Sequence, residues 1–248
     1  MSYYIDTEAQ QLEVPKMSLY KVFLEMISRS ISHMKTLTAT EPLTDLLSVE
    51  NLQKVMNEKG YVFFDGNKPL NLNLIGVRRD NPGTNEFDDF LVMIYRNESL
   101  EEVCKVFPIT TDPGEYWLKN PMNPKGTAVL VPGQYRGTWK LGKHQNNYEA
   151  LVQRKEVKVW RDNNKDNIID YKSFNTLSEG YFGINIHRSN PYDKSYLVNK
   201  WSAGCQVFQS VKDFDEFMEI CKRSASIYGD AFTYTLLTEQ EIRKHLEN

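Results

Sequence analysis

The chain is poor in histidine and cysteine, and no sign of charge dominates it. Four histidines and three cysteines in 248 residues leave few imidazoles and thiols, so any that fall close together stand out. Cys104, Cys205 and Cys221 are too few, and odd in number, for a disulfide framework. They fit a reducing compartment or a fold that does not depend on disulfides. A chain of this length can bury roughly 70–75% of its unfolded surface without such staples. The net charge of −3 argues against a nucleic-acid partner held by phosphate neutralisation. No apolar run approaches the ~20 residues that a membrane-spanning helix needs. The opening stretch MSYYIDTEAQQLEVPK lacks a basic segment followed by an apolar core, so no signal peptide is expected.

What is present reads as a mixed chain. Residues 1–15 look like a polar arm. From Met17, apolar residues at Leu19, Val22, Phe23, Met26, Ile27, Ile31 and Met34 follow helical spacing along one face. Thr40-Glu41-Pro42 can open a second helix. Ser48 can cap a third, carrying Leu52, Val55 and Met56 and stopped by Gly60. From Tyr61 the pattern turns to short strands: 61–64, 72–77, 90–95, 104–109, 127–131, 135–141 and 148–152. One helical turn is expected at 98–103, and the last strand pair reads as a hairpin. Cys104, between hydrophobic neighbours, reads as core. After residue 208, Ser210 caps a helix that places Phe214, Phe217, Met218 and Cys221 on one face. A strand at 231–237 follows, and then Thr238 and Glu241 as a capping-box pair. The expected fold class is α+β: a helical segment over 1–60, then a β-rich domain over 61–248, with a sandwich or barrel-like sheet.

The chemistry concentrates in GINIHRSNPYDKSYLVNKWSAGCQVF, residues 183–208. His187 ends an alternating run that reads as a half-buried strand from Tyr181. A polar loop containing Pro191 follows, and Trp201-Ser-Ala-Gly-Cys205 turns back into an apolar run. This returns Cys205 to the neighbourhood of His187. An imidazole beside a thiol can take its proton and stabilise the thiolate. A glycine before the nucleophile lets backbone approach a substrate, and the amides of Gly204 and Cys205 can face an oxyanion. The alternative is a small buried thiol and an ordinary hydrogen-bonded histidine.

This segment resembles the active-site signature of the L,D-transpeptidase family, in which a histidine ending a strand precedes the cysteine of a Ser-His-Gly-Cys turn by a similar interval. The matching residues are His187 and Ser202-Ala203-Gly204-Cys205. Ala203 stands where the family turn has histidine, Gln206-Val207 replaces the usual following pair, and Arg188 follows the histidine where serine or glycine is frequent. The likeness is specific over 181–208, faint from about Cys104 onward and absent from the first hundred residues. It implies a compact β-rich catalytic fold. It also implies cysteine-dependent acyl transfer or hydrolysis on peptidoglycan stem peptides, with Cys205 as nucleophile, His187 as base and Ser189 as a candidate for orienting the imidazole. Candidate substrate contacts are Arg188, Trp201, Ser202 and Gln206. Peptidoglycan or its peptide fragments would be the partner. In a bacterial or phage setting, an enzyme without a leader is cytoplasmic when made and acts at the cell wall if released. A non-catalytic wall-binding or phage structural module that keeps the fold is the rival class.

Two further clusters are weighed on the residues alone. Tyr135 and Arg136, with Trp139 and His144, could line a sugar- or peptide-binding groove, or simply occupy a half-exposed strand; His144 is a rival base for Cys205. Asp162, Asn164, Asp166 and Asp170 match positions 1, 3, 5 and 9 of a calcium loop, but Asn167 replaces its glycine and Ser173 its closing glutamate. A solvated acidic turn is the expected reading, and no cofactor is expected.

Overall fold

The computed structural model describes residues 21, 24, 26, 27, 41–80, 85–171 and 176–247. The chain divides into two compact units, with the boundary between Glu41 and Pro42, earlier than the expected one at residue 60. In the first unit Lys21, Leu24, Met26 and Ile27 are helical; most of the helix expected from Met17 lies outside the described residues, as does the polar arm. The rest of this section concerns the second unit.

The second unit is strand-rich. It begins with α1 (Leu43–Leu46) and α2 (Val49–Glu58). Ser48 caps α2, its side chain accepting the amide of Asn51, and Gly60 leaves the helix at φ 68°. These helices do not stand apart from the sheet. Leu52, Val55 and Met56 are buried against Ile75, Val77, Val92 and Ile94, a hydrophobic contact worth about 1.5–3 kcal/mol for each fully buried side chain.

The principal sheet uses β1 (Asn73–Arg78), β2 (Asp89–Arg96), β3 (Glu102–Thr110), β5 (Gly133–His144), β6 (Tyr148–Gln153), β9 (Ile186–Arg188), β10 (Gln206–Phe208) and β11 (Phe232–Thr238). They close into a barrel in the order β1-β11-β5-β6-β9-β10-β3-β2. The β1–β11 and β9–β10 pairs are parallel. A smaller sheet, β4 (Thr127–Leu130), β7 (Val157–Asp162) and β8 (Ser178–Gly180), has the order β4-β7-β8. The remaining helices are α3 (Glu115–Lys119), α4 (Val211–Tyr228) and α5 (Glu239–Leu246). One core joins Trp139, Phe208, Phe217, Tyr234 and Leu236 with Val159 of the smaller sheet.

Several local signals act as expected. Ser210 caps α4 by accepting the amide of Asp213, and α4 buries Phe214, Phe217, Met218 and Cys221. Thr238 and Glu241 satisfy one another's amides at 2.9 and 3.2 Å. The β5–β6 hairpin pairs His144 with Tyr148 and turns through the three residues between them, of which Gln145 and Asn146 are at positive φ (49° and 57°).

Other expectations change. Residues 61–64 are unpaired chain, because their backbone bonds go to side chains: the amide of Val62 to Gln134 Oε1 and that of Phe64 to Asn73 Oδ1. Residues 98–100 form the β2–β3 connection, not a helical turn; Leu100 has φ 63°, and the Glu101 amide is held by Asn97 Oδ1. Cys104 is exposed, not core. On one side β3 pairs with β2 along its whole length, but on the other β10 reaches only Ile109 and Thr110, so the first half of β3 is an open edge. Residues 181–185 carry no strand pairing; Phe182 and Ile184 both give their amides to Gln153 Oε1, and Gly183 turns at φ 72°.

Candidate active site

The parallel pair β9–β10 sets the site. Gln206 is opposite Ile186 and Val207 opposite His187. Ile186 joins the main core, and Gln206 lies inside it, accepting the Tyr234 hydroxyl at 2.8 Å. Strand alternation then puts Asn185, His187, Cys205 and Val207 on the opposite face. Cys205 and His187 are diagonal neighbours there, on the order of 8 Å apart between Cα atoms.

The cysteine sits on a tightly specified turn. Gly204 has φ 114°, and a Cβ at that position would lie 2.1 Å from the carbonyl oxygen of Ala128, so only glycine fits. Ser202, fully buried, donates to the Cys205 carbonyl at 2.9 Å and accepts the Gly204 amide at 3.2 Å. That amide is therefore committed, and of the expected pair only the Cys205 amide stays a candidate oxyanion donor. Gly114 donates its amide to the Ser202 carbonyl, and its own Cβ position is blocked by Asn199 at 2.1 Å. The turn is thus clamped from both sides.

The thiol donates to the Gly183 carbonyl and accepts the Asn185 amide, both at 3.4 Å. His187 is not among its hydrogen-bond partners. Removal from water pushes the Cys205 thiol up to about 11, because the apolar surroundings penalise the thiolate. The residue itself keeps partial exposure, so the resting thiol is neutral yet open to approach.

His187 is 2% exposed. Its Nδ1 lies 2.8 Å from the Arg188 carbonyl. A carbonyl only accepts, so Nδ1 carries the proton and Nε2 keeps its lone pair. The Tyr148 hydroxyl, 3.1 Å from Nδ1, donates to the same carbonyl at 3.1 Å. The His144 ring stacks on His187 with centroids 3.9 Å apart. Burial, and then the His144 neighbour, push His187 down to about 3, so its imidazole is neutral in ordinary buffers. Asn185 links His144 to the thiol. Its Oδ1 accepts the Gln153 amide at 3.0 Å, which turns Nδ2 toward His144 Nδ1 at 3.1 Å. His144 is thereby protonated at Nε2, and burial also lowers its pKa.

The structure redistributes the other candidates. Ser189 Oγ donates to the Gln209 carbonyl at 3.1 Å, so the Arg188 carbonyl and Tyr148 orient the imidazole instead. The Arg188 guanidinium lies 4.0 Å over the Tyr148 ring. Trp201 is 40% exposed on the loop before the turn. Ser202 and Gln206 are buried supports, not accessible surface. Tyr135 gives its hydroxyl to the Val131 carbonyl at 2.6 Å, and Arg136 is exposed. Both lie some 25–30 Å along β5 from His144, which stacks directly on His187. Asn185 and Tyr148 were not singled out by sequence reasoning; only the i+2 spacing from Asn185 to His187 carried a hint of the former.

Two neighbouring features complete the region. A cavity of about 390 Å³ adjoins the cysteine turn, bounded by Gly126, Ala128, Arg161, Tyr181, Phe182 and Ala203. Beneath the loop that carries Gly114 lies a buried network. Arg78 donates to Thr111 Oγ1, the Leu130 carbonyl and the Thr111 carbonyl at 2.9–3.0 Å and pairs with Asp112 at 3.0 Å. Asp89 accepts the Thr111 amide and hydroxyl, both at 2.7 Å, and Tyr171 donates to Asp112 at 2.7 Å. Burial, with Asp112 next, pushes Asp89 up to about 7.

In the acidic loop, Asn164 Nδ2 donates to Asp166 and Asp170 at 3.0 Å, and the Asp170 amide donates to Asp162. Its side chains are joined to one another, and Ser173 is outside the described residues. Among the described residues, no group of three or more His, Cys, Asp or Glu is arranged to hold a metal ion, and no helix is long and apolar enough to cross a membrane.

No family model, curated protein or solved structure matches this chain. The functional reading therefore rests on the site.

Proposed function

We propose that the chain is a cysteine acyl-transfer enzyme of L,D-transpeptidase-like fold acting on peptidoglycan stem peptides. The observation that carries this reading is the placement of Cys205 and His187 on one face of the β9–β10 pair, with the imidazole held as the tautomer whose Nε2 is a free base. Thiol and imidazole are both neutral at rest, so the proton moves during attack and not before it. Sγ adds to the substrate carbonyl as its proton passes to His187 Nε2, and the Cys205 amide receives the developing oxyanion. The imidazolium then protonates the departing amine. An amine or water resolves the thioester and regenerates the thiol. Substrate binding would have to close the His187–Cys205 separation, and catalytic hydrogen bonds commonly tighten only in the complex.

The test is incubation with peptidoglycan peptide fragments, with mass spectrometry for an acyl adduct on Cys205 and for released product. Wild type should form both, Cys205→Ala neither, and His187→Ala should lose about 10²–10⁴-fold in rate. Full turnover by Cys205→Ala would sink the reading. The neutral thiol, bonded only to backbone, favours a second one: a wall-binding module without turnover. It predicts undiminished binding of peptidoglycan by Cys205→Ala and no product from wild type.

A further inference from the structure

We propose that the cavity beside the cysteine turn is a carboxylate-binding subsite built on Arg161. The inference deepens the acyl-transfer reading, since it names the substrate feature recognised next to Cys205, and it rests on that reading for its place in catalysis.

Arg161 projects from β7 into the wall of the 390 Å³ cavity, a volume within the range of about 300–1,000 Å³ that small-ligand sites occupy. One guanidinium nitrogen, Nη1, donates to the Gly126 carbonyl at 3.1 Å. The group lies 4.7 Å from the centroid of Phe182. Its Nε is buried and has no hydrogen-bond partner. Among the described residues no carboxylate lies within ion-pair distance of it. The neighbouring acid, Asp162, is turned into its own loop, where it accepts the Asp170 amide at 3.0 Å.

A guanidinium is rarely left this way. Its fork matches a carboxylate, and a half-buried cation without a counter-charge gains most from acquiring one. Burial lowers the Arg161 pKa, the direction expected of a cation that lacks an anion. Phe182 supplies a flat apolar wall that holds the guanidinium plane without competing for its donors.

Two residues of the cavity wall, Phe182 and Ala203, are close in the chain to the groups around the thiol. Phe182 precedes Gly183, whose carbonyl accepts the thiol proton. Ala203 lies two residues before Cys205. Where the resembled turn carries histidine, Ala203 leaves only a methyl group and the space stays open. Gly126, whose carbonyl holds Arg161, packs directly on β7, because a Cβ there would meet the Asp162 carbonyl oxygen at 2.2 Å. A short peptide or amino-acid derivative could place its carboxylate on Arg161 and lead its chain toward Cys205.

The test uses small anions and does not require turnover. In ¹H–¹⁵N spectra of the full chain, the Arg161 Nε–H signal, assigned by its loss in Arg161→Gln, should shift saturably with N-acetylalanine and not with N-acetylalanine amide. Alkylation gives a second readout at pH 9, site by site by mass spectrometry. The ratio of iodoacetate to iodoacetamide rates at Cys205 should exceed that at exposed Cys104 by about tenfold. Arg161→Gln should abolish the excess, and Arg161→Lys should retain part of it. Equal responses to acid and amide in wild type overturn the proposal, as does an anion preference that survives in Arg161→Gln. If Arg161→Gln does not fold, the acid–amide comparison in wild type decides. Absence of turnover on peptidoglycan leaves these readouts unaffected, so the subsite and the acyl-transfer reading fail separately.

Discussion

The imidazoles of His144 and His187 are stacked with centroids 3.9 Å apart and planes 18° from parallel. The two come from the end of β5 and from β9, strands separated in the barrel by β6. A charge on His144 would lie against the face of the buried His187 ring, so His144 adds to the burial that keeps His187 neutral. NMR titration of the ring signals should find no protonation of His187 above about pH 4 in wild type. His144→Phe keeps a flat ring but removes the second titrating group, and should raise the His187 pKa. An unchanged titration would show that burial alone holds it down.

The same burial predicts acid sensitivity. An unfolded histidine protonates near its ordinary value of 6.5, whereas folded His187 resists until about 3. The unfolded state therefore binds more protons between those values. Stability should fall as pH drops through that window, by at most about 1.4 kcal/mol per pH unit from this residue. Urea unfolding of His187→Gln should show a flatter acid limb than wild type.

Asp89 works with the opposite sign. Its folded pKa is raised from 3.8 to about 7, so between those values the folded state holds the extra proton. Its contribution is present below pH 4 and is lost as pH rises through 7, again by at most about 1.4 kcal/mol per unit. Asp89→Asn should flatten the neutral limb of the stability profile. It should also lower stability below pH 6, because the amide cannot accept all the bonds that Thr111 and Arg79 direct at the carboxyl.

Two glycines near the thiol should differ sharply. Gly204→Ala must accommodate both φ 114° and a 2.1 Å approach to the Ala128 carbonyl. It should cost about 3 kcal/mol or more and displace the turn. Gly183→Ala has φ 72° and nothing within 4 Å, and should cost about 1 kcal/mol. Thermal unfolding of the pair, with Cys205 labelling as the local readout, checks the contrast.

Gln206 and Tyr234 form a buried polar pair beneath the same turn. Tyr234→Phe leaves the Gln206 carbonyl oxygen without its donor in the core, which should cost about 1–3 kcal/mol. Gln206→Leu in the Tyr234→Phe background should recover part of that loss, because both ends of the bond are then apolar. Denaturant unfolding of the single and double variants measures the coupling.

What could be read from order alone is what neighbours in the chain control. The caps at Ser48, Ser210 and Thr238, the β5–β6 turn and the apolar face of α4 are all settled within a few residues by hydrogen bonding or by spacing. Cys205 and His187 stood out because thiols and imidazoles are scarce here. The surroundings of the pair were not legible, because they depend on closure of the barrel. His144 and Tyr148 reach His187 only when β6 pairs with β9, and Asn185 meets the thiol only when β9 pairs with β10. Cys104 and Cys221 have similar apolar neighbours in the chain, yet one lies on an open strand edge and the other on the buried face of α4. Most of all, the protonation states came from packing. Whether a thiol rests charged or neutral depends on how much water surrounds it, and water is excluded here by segments far apart in the sequence.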